Sequence, residues 1–216
     1  MNIREAYTQW SATYDNDHNL TRDLDQVVTR DMLGHARYTS VLELGCGTGK
    51  NTAQLAQLAA HVHALDFSEG MISQAQAKLS GANVTFSVAD LTEPWPCADH
   101  SVELIVCNLV LEHIADLSFI FAEAGRTLIA GGRFFVCELH PFKQYQGSRA
   151  SFEQGPERIA IPAFVHHISD YLKAAEAAGF MLSRLDEWWH LEDRDAPPRL
   201  VSFMFDTHAP AAGGSE

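Results

Sequence analysis

No run of about 18 apolar residues occurs in this 216-residue chain, so no membrane-spanning helix is expected. The opening residues, Met1-Asn2-Ile3-Arg4-Glu5, lack the apolar core of a secretory signal. Basic residues are scarce: 15 Lys and Arg stand against 28 Asp and Glu, a formal net charge of −13. That balance opposes a long electrostatic footprint on a phosphate backbone, so nucleic acid is not expected as a partner. Cysteine is also scarce. Cys46, Cys97, Cys107 and Cys137 form no C-x-x-C pair, which argues against a disulfide framework or a zinc site. They read as reduced thiols of a cytoplasmic protein. No internal repeat or low-complexity tract is present. The His61-Val62-His63 pair points to one face of a strand and reads as surface or packing, so no metal is expected.

What is present begins with Val41-Leu42-Glu43-Leu44-Gly45-Cys46-Gly47-Thr48-Gly49-Lys50. An apolar run carrying one carboxylate ends in three glycines spaced by two. This reads as a buried parallel strand followed by a tight turn into a helix. Without a Cβ in the way, the turn lets backbone approach a ligand. The helix start adds free N–H groups and partial positive charge. A dinucleotide fingerprint needs glycine where Lys50 stands, and a phosphate loop needs other spacing. A dinucleotide oxidoreductase is therefore disfavoured.

Along the chain, residues 1–38 read as helical. Tyr7, Trp10 and Tyr14 share one face, and a second helix covers Asp23 to Leu33. Strand and helix then alternate through Val41–Leu44, Asn51–Ala59, His61–Asp66, Ser68–Leu79, Val84–Asp90, Val102–Asn108, Leu117–Ile129 and Arg133–Leu139. This alternation predicts an α/β, doubly wound, mostly parallel sheet. Residues 140–165, with three prolines and two glycines, read as a lid or substrate segment. A helix from Ser169 to Ala178 follows, then two strands near Phe180–His190 and Leu200–Thr207. Residues 209–216 read as a disordered tail, leaving 1–208 as one domain.

The E-x-G-x-G-x-G stretch resembles motif I of the class I S-adenosylmethionine methyltransferases. The resemblance runs over about residues 36–140 and is similar to the branch holding malonyl-carrier-protein and ubiquinone-pathway methyltransferases. It implies a Rossmann-like, seven-stranded sheet ending in an antiparallel hairpin, an N-terminal helical cap, and S-adenosylmethionine as cofactor, released as S-adenosylhomocysteine.

Candidate cofactor residues follow. Gly45, Cys46, Gly47 and Gly49 form the cradle. Glu43 either holds the glycine turn or approaches the charged part of the cofactor; in both readings a buried carboxylate needs partners. Asp66, about 20 residues beyond the first glycine, suits the ribose hydroxyls, against a competing reading as a helix cap. Phe67 and Met71 pack on adenine or belong to the core. The resemblance implies that Asp90, with Leu91, accepts from the adenine amino group. It implies that Asn108 and Leu109 flank the methionine part. It also places Tyr14 in a segment closing over the cofactor, with Arg22 meeting the cofactor carboxylate.

The acceptor is less legible. The [ND]-P-P-[YF] signature of nucleic-acid amino-methylation is missing after the fourth strand, where Asn108-Leu109-Val110-Leu111 stands. A small-molecule acceptor is expected. Glu112, His140, Tyr145, Arg149, His166, His167 and Arg199 are its candidate binding residues. His113 and His140 are the candidate catalytic bases, each with a competing structural reading. The expected reaction is in-line methyl transfer to oxygen, nitrogen or a carboxylate. The alternatives are a carrier-protein-bound or peptide acceptor, and a non-catalytic S-adenosylmethionine-binding protein.

Overall fold

The structure is a computed structural model and describes residues 2–79, 81, 83–154, 157–193 and 195–208. The expected tail at 209–216 lies outside them. Helix α1 spans Ile3–Trp10 and α2 spans Leu20–Leu33. Asn2 accepts from the Glu5 N–H while the Glu5 carboxylate accepts from the Asn2 N–H, closing a capping box. The continuous aromatic helix face expected through Tyr14 is corrected, because α1 stops at Trp10 and residues 11–17 run through turns. The three aromatics still meet, with Trp10 and Tyr14 ring centres 4.6 Å apart. Helix α2 starts three residues before the expected Asp23, because the Asn19 side chain accepts from the N–H groups of Thr21 and Arg22.

The alternation then appears as expected. It runs β1 (Tyr38–Leu44), α3 (Thr52–Leu58), β2 (Ala59–Asp66), α4 (Glu69–Lys78), β3 (Val84–Val88) and β4 (Val102–Asn108). A short 3-10 turn (Leu111–His113), α5 (Leu117–Thr127) and β5 (Leu128–Leu139) follow. Strand β5 begins five residues earlier than expected and carries Gly131 and Gly132 within it; its pairing with β4 shifts register between Val102 and Leu104. Residues 140–165 have structure of their own: α6 (Pro141–Tyr145) and a small hairpin of β6 (Ser151–Gln154) and β7 (Glu157–Ala160). Helix α7 (Ile168–Ala177), β8 (Met181–Trp188) and β9 (Leu200–Asp206) complete the fold.

The seven-stranded sheet has the order β3-β2-β1-β4-β5-β9-β8. The pairs from β3 through β5 are parallel, while β5–β9 and β9–β8 are antiparallel. Both faces are covered, and strand alternation divides the side chains between them. Leu42, Leu44, Ile105, Cys107, Phe134 and Val136 pack toward α5 and α7. Val41, Leu104, Val106, Phe135 and Cys137 pack toward α2 and α3. Because β2 and β4 flank β1 on opposite sides, strand order reverses there. The register pairs Leu44 with both Leu65 and Cys107, so Gly45, Asp66 and Asn108 leave the sheet along one edge. A crevice at such a switch point is where open α/β sheets bind ligands.

Candidate active site

A cavity of about 650 Å³ opens at that edge, within the range of small-molecule sites. It is roofed by Ile3, Arg4 and Tyr7 of α1 and floored by the glycine turn. Gly45 has φ 68°, and a Cβ there would lie 2.2 Å from Cγ2 of Val110, so the turn packs directly on the loop after β4. Gly47 has φ 53° and no protein atom within 4 Å of where a Cβ would sit, which leaves its backbone open to a ligand.

Most of the expected cofactor residues line this cavity. Gly45, Cys46, Gly47 and Glu43 come from the β1 edge, Asp66, Phe67 and Met71 from the β2 edge, Asp90 and Leu91 from beyond β3, and Asn108 and Leu109 from β4. Tyr14 and Arg22 reach it from the N-terminal segment. Gly49 does not line it; its Cβ position lies against Leu79 and Ala75, so it serves the packing of α4.

Buried carboxylates dominate the electrostatics. Asp66 accepts from the Gly47 N–H at 2.9 Å and the Ser68 N–H at 2.8 Å, and burial pushes its pKa up to about 6 against those bonds. Glu43 accepts from the Thr52 hydroxyl at 2.5 Å, and burial, with Asp25 and Asp66 nearby, pushes it up to about 8. Asp90 accepts from Thr92 and pairs with Arg4 at 3.0 Å. Arg22 donates to the backbone carbonyls of Tyr14 and Asp17 and lies over the Tyr14 ring, which ties the segment down.

The acceptor residues divide. His113 lines the cavity, and its Nε2 accepts from the Tyr7 hydroxyl at 2.7 Å. Its Nδ1–H donates to the Pro162 carbonyl at 3.0 Å, and burial lowers its pKa, which keeps the ring neutral. Glu112 does not line the cavity. It is buried beside His113, accepts from Gln144, and is pushed up to about 7 by burial.

His140, the other candidate base, does not line this cavity. It is almost fully buried, its Nδ1 accepts from the Phe142 N–H at the start of α6, and its Nε2–H donates to Glu187 at 3.0 Å. Both ring nitrogens are committed outside the cavity. Tyr145, Arg149, His166, His167 and Arg199 are likewise not brought to it. Tyr145 bonds His167, His166 donates to the Ile114 carbonyl, Arg149 is exposed, and Arg199 forks onto Asp193 at 2.5 and 2.7 Å.

Sequence reasoning missed Arg4, Tyr7, Asp25 and Asn51 as cavity residues. Asp25 had a signal: it sits three and four positions before Val28 and Thr29, placing a charge on the packing face of α2. Among the described residues no cluster suited to a metal ion occurs, and no helix is long and apolar enough to cross a membrane.

Comparison with known proteins agrees with this geometry. Residues 42–136 match a family described as a methyltransferase domain. The chain is 28% identical to an uncharacterised methyltransferase of Emericella nidulans, over 93% of this chain and 83% of that protein. It is 32% identical to a ubiquinone biosynthesis O-methyltransferase of Xanthomonas euvesicatoria, over 73% of this chain and 65% of that protein. Its fold is similar to that of the N-methyltransferase NodS of Bradyrhizobium japonicum, solved with S-adenosylhomocysteine (TM-score 0.73, 15% identity, 96% and 99% of the two chains).

Over residues 42–136 the chain carries a methyltransferase domain, it is similar to methyltransferases over most of its length, and its fold is that of S-adenosylmethionine-dependent methyltransferases of solved structure. It is a methyl-transferring enzyme, and the neighbour of like fold solved with S-adenosylhomocysteine makes S-adenosylmethionine the group to test against this site. The site fits that group. Backbone is open at Gly47, an acidic side chain stands at the end of β2, and the cavity is large enough.

Proposed function

We propose that this enzyme methylates a small molecule at a hydroxyl or amine that must lose a proton, with His113 as the general base. The observation that carries the reading is the imidazole of His113 on the cavity wall, its pKa lowered by burial. Its Nδ1–H is fixed on Pro162, which leaves the lone pair on Nε2; the Tyr7 hydroxyl that occupies it also lines the cavity, so the acceptor's proton reaches His113 through that hydroxyl or after displacing it. When bound, the cofactor supplies an electrophilic methyl group, so the protein's part is positioning, exclusion of water and removal of one proton.

Around His113 the wall is apolar, with Leu109, Val110, Ile114 and Pro162. The cavity's cations are engaged: Arg4 pairs with Asp90, Lys50 with Asp23, and Arg22 donates to the carbonyls of Tyr14 and Asp17. A carboxylate acceptor would find no uncommitted charge partner among them, whereas a phenol or amine on an apolar body suits the wall. Asp66 is assigned to the ribose hydroxyls, Asp90 to the adenine amino group, and Arg22 to the cofactor carboxylate. The name of the ubiquinone relative supports an oxygen acceptor. A single domain over 1–208 and a cytoplasmic location complete the reading; the unbridged cysteines support the latter.

A second reading is favoured by one observation. Phe142 and Tyr145, with ring centres 6.2 Å apart, and Phe164 and Val165, two and three positions after the cavity residue Pro162, are exposed apolar side chains. There the acceptor would arrive on a carrier protein or peptide.

The test is transfer of label from methyl-labelled S-adenosylmethionine to a panel of free phenols, amines and carboxylates, with and without a carrier-linked set. Label on phenols or amines supports the first reading. Label only on carrier-linked compounds supports the second, and label on free carboxylates alone overturns the role given to His113.

A further inference from the structure

Asp25 reaches the cavity from α2, a helix that contributes no part of the glycine turn. It is 5% exposed and has no Lys or Arg within ion-pair distance among the described residues. Its oxygens are met instead by two carboxamides, Asn51 donating to Oδ2 at 2.8 Å and Asn108 to Oδ1 at 2.6 Å, and by the Cys137 thiol. Each carboxamide thereby turns its N–H toward Asp25 and leaves its own oxygen, buried, without a partner. Asn108 ends β4, and Asn51 immediately precedes α3. The three side chains thus join three elements on the cavity wall, beside Glu43. Arg22 and Lys50 line the same cavity.

Burying an ionised carboxylate without a cation is costly, because carboxamide dipoles replace only part of its hydration. Burial accordingly raises the Asp25 carboxyl above the usual carboxylate range, opposed by its bonds to Asn51 and Asn108. A group in this state gains most from a ligand that brings positive charge and N–H donors. The unpartnered oxygens of Asn51 and Asn108 are acceptors wanting donors. A cation and an anion on one wall suit a zwitterion, with its carboxylate toward Arg22 and its ammonium toward Asp25.

We propose that Asp25, held by Asn51 and Asn108, is the counter-ion for the α-ammonium of the bound cofactor's amino-acid part. The inference rests on the cofactor-binding role of this cavity. Asp25 is then a selectivity residue. It favours ligands carrying the amino-acid zwitterion over adenosine compounds that lack it, without contacting the reacting atoms.

The test is calorimetric titration of the full chain with two ligands, S-adenosylhomocysteine and 5′-methylthioadenosine, which lacks the amino-acid part. For Asp25→Asn, S-adenosylhomocysteine should weaken by roughly 10- to 100-fold, the scale of a charge-assisted bond, while methylthioadenosine stays within about twofold. Asp25→Ser, with a smaller acceptor, should give the same split if the first variant does not melt cooperatively. In the native protein, the deaminated analogue of S-adenosylhomocysteine should bind about tenfold or more weakly than the parent. Equal losses for both ligands, or no loss for S-adenosylhomocysteine, overturn the assignment. Binding of neither ligand by the native protein overturns the cofactor site itself, a different failure from loss of the split.

Discussion

The hydroxyl of Tyr7 on the first helix donates to Nε2 of His113, 106 residues later and 2.7 Å away. The bond joins the roof of the cavity to the turn after β4. Two further contacts hold the same helix: Arg4 to Asp90 at 3.0 Å and the Thr8 hydroxyl to that of Ser68. The proton acceptor on the cavity wall is therefore covered by a helix that also borders Phe67 and Asp90.

His113→Gln should lower the rate of methyl transfer by about 10² to 10⁴, the usual contribution of a general base, with S-adenosylhomocysteine affinity retained. Tyr7→Phe should leave the base in place and change the rate by a smaller factor. Initial rates with labelled cofactor, paired with calorimetry, check both. Equal activity of native protein and His113→Gln would remove His113 from the chemistry.

Asp66→Ala should weaken S-adenosylhomocysteine by roughly 10- to 100-fold, since a carboxylate that hydrogen-bonds ribose is lost. The same change frees the N–H groups of Gly47 and Ser68, so the melting temperature should also fall. Asp66→Asn separates the two effects, because it keeps one acceptor for the turn. Undiminished affinity in both variants would place the ribose elsewhere.

Gly45→Ala should destabilise the fold by about 1–3 kcal/mol or more, because the new Cβ meets Val110 at a backbone angle that side chains rarely adopt. Adding Val110→Ala should recover the steric part and leave the backbone part. Urea unfolding of the single and double variants measures the difference, and additive losses would show that the contact is not the cause.

His140→Gln should lower stability, because it disturbs the start of α6 and the bond to Glu187, while cofactor affinity stays unchanged. Thermal melting and calorimetry check this. A lost binding signal with an unchanged melting temperature would return His140 to the site.

Stability should fall as pH rises from about 4.5 toward about 8. Glu43 and Glu138 are pushed by burial up to about 8 and Glu112 to about 7, so the folded state holds protons that the unfolded chain releases. Their contribution is complete below the ordinary carboxylate pKa and is lost through the raised one. Asp193, held near 2 against its burial by Arg199 and its neighbours, acts oppositely; its contribution is lost as pH falls below about 4. Melting temperatures across pH 3–9 test both trends, and Glu138→Gln should flatten the alkaline one.

The alternating strands and helices were legible because the central strands β1, β4 and β5 are apolar runs largely buried on two faces. The Val102–Asn108 strand matched its expected bounds, and those of α3, α4 and α7 differed by a residue or so. The cofactor side was legible because the carboxyl ends of β1, β2 and β4 meet at one edge, so residues ending successive strands become neighbours. The acceptor side was not. His140 follows a strand as Asn108 does, yet β5 lies one place farther from the switch point, and its histidine turns to cap α6 and meet Glu187. Tyr7 was visible as one of three aromatics, but its partner follows β4, 106 residues away in the chain.

The sequence by itself determined the layered α/β architecture, the glycine turn and the acidic residues at the strand ends, because these follow from local periodicity and from what a turn without Cβ atoms allows. Tertiary structure alone decided which histidine faces the cavity, that Tyr7 roofs it, and that Asp25 is buried there without a cation. Those relationships join residues distant in the chain. They depend on how α1 and α2 fold back over the sheet edge, which no short-range pattern encodes.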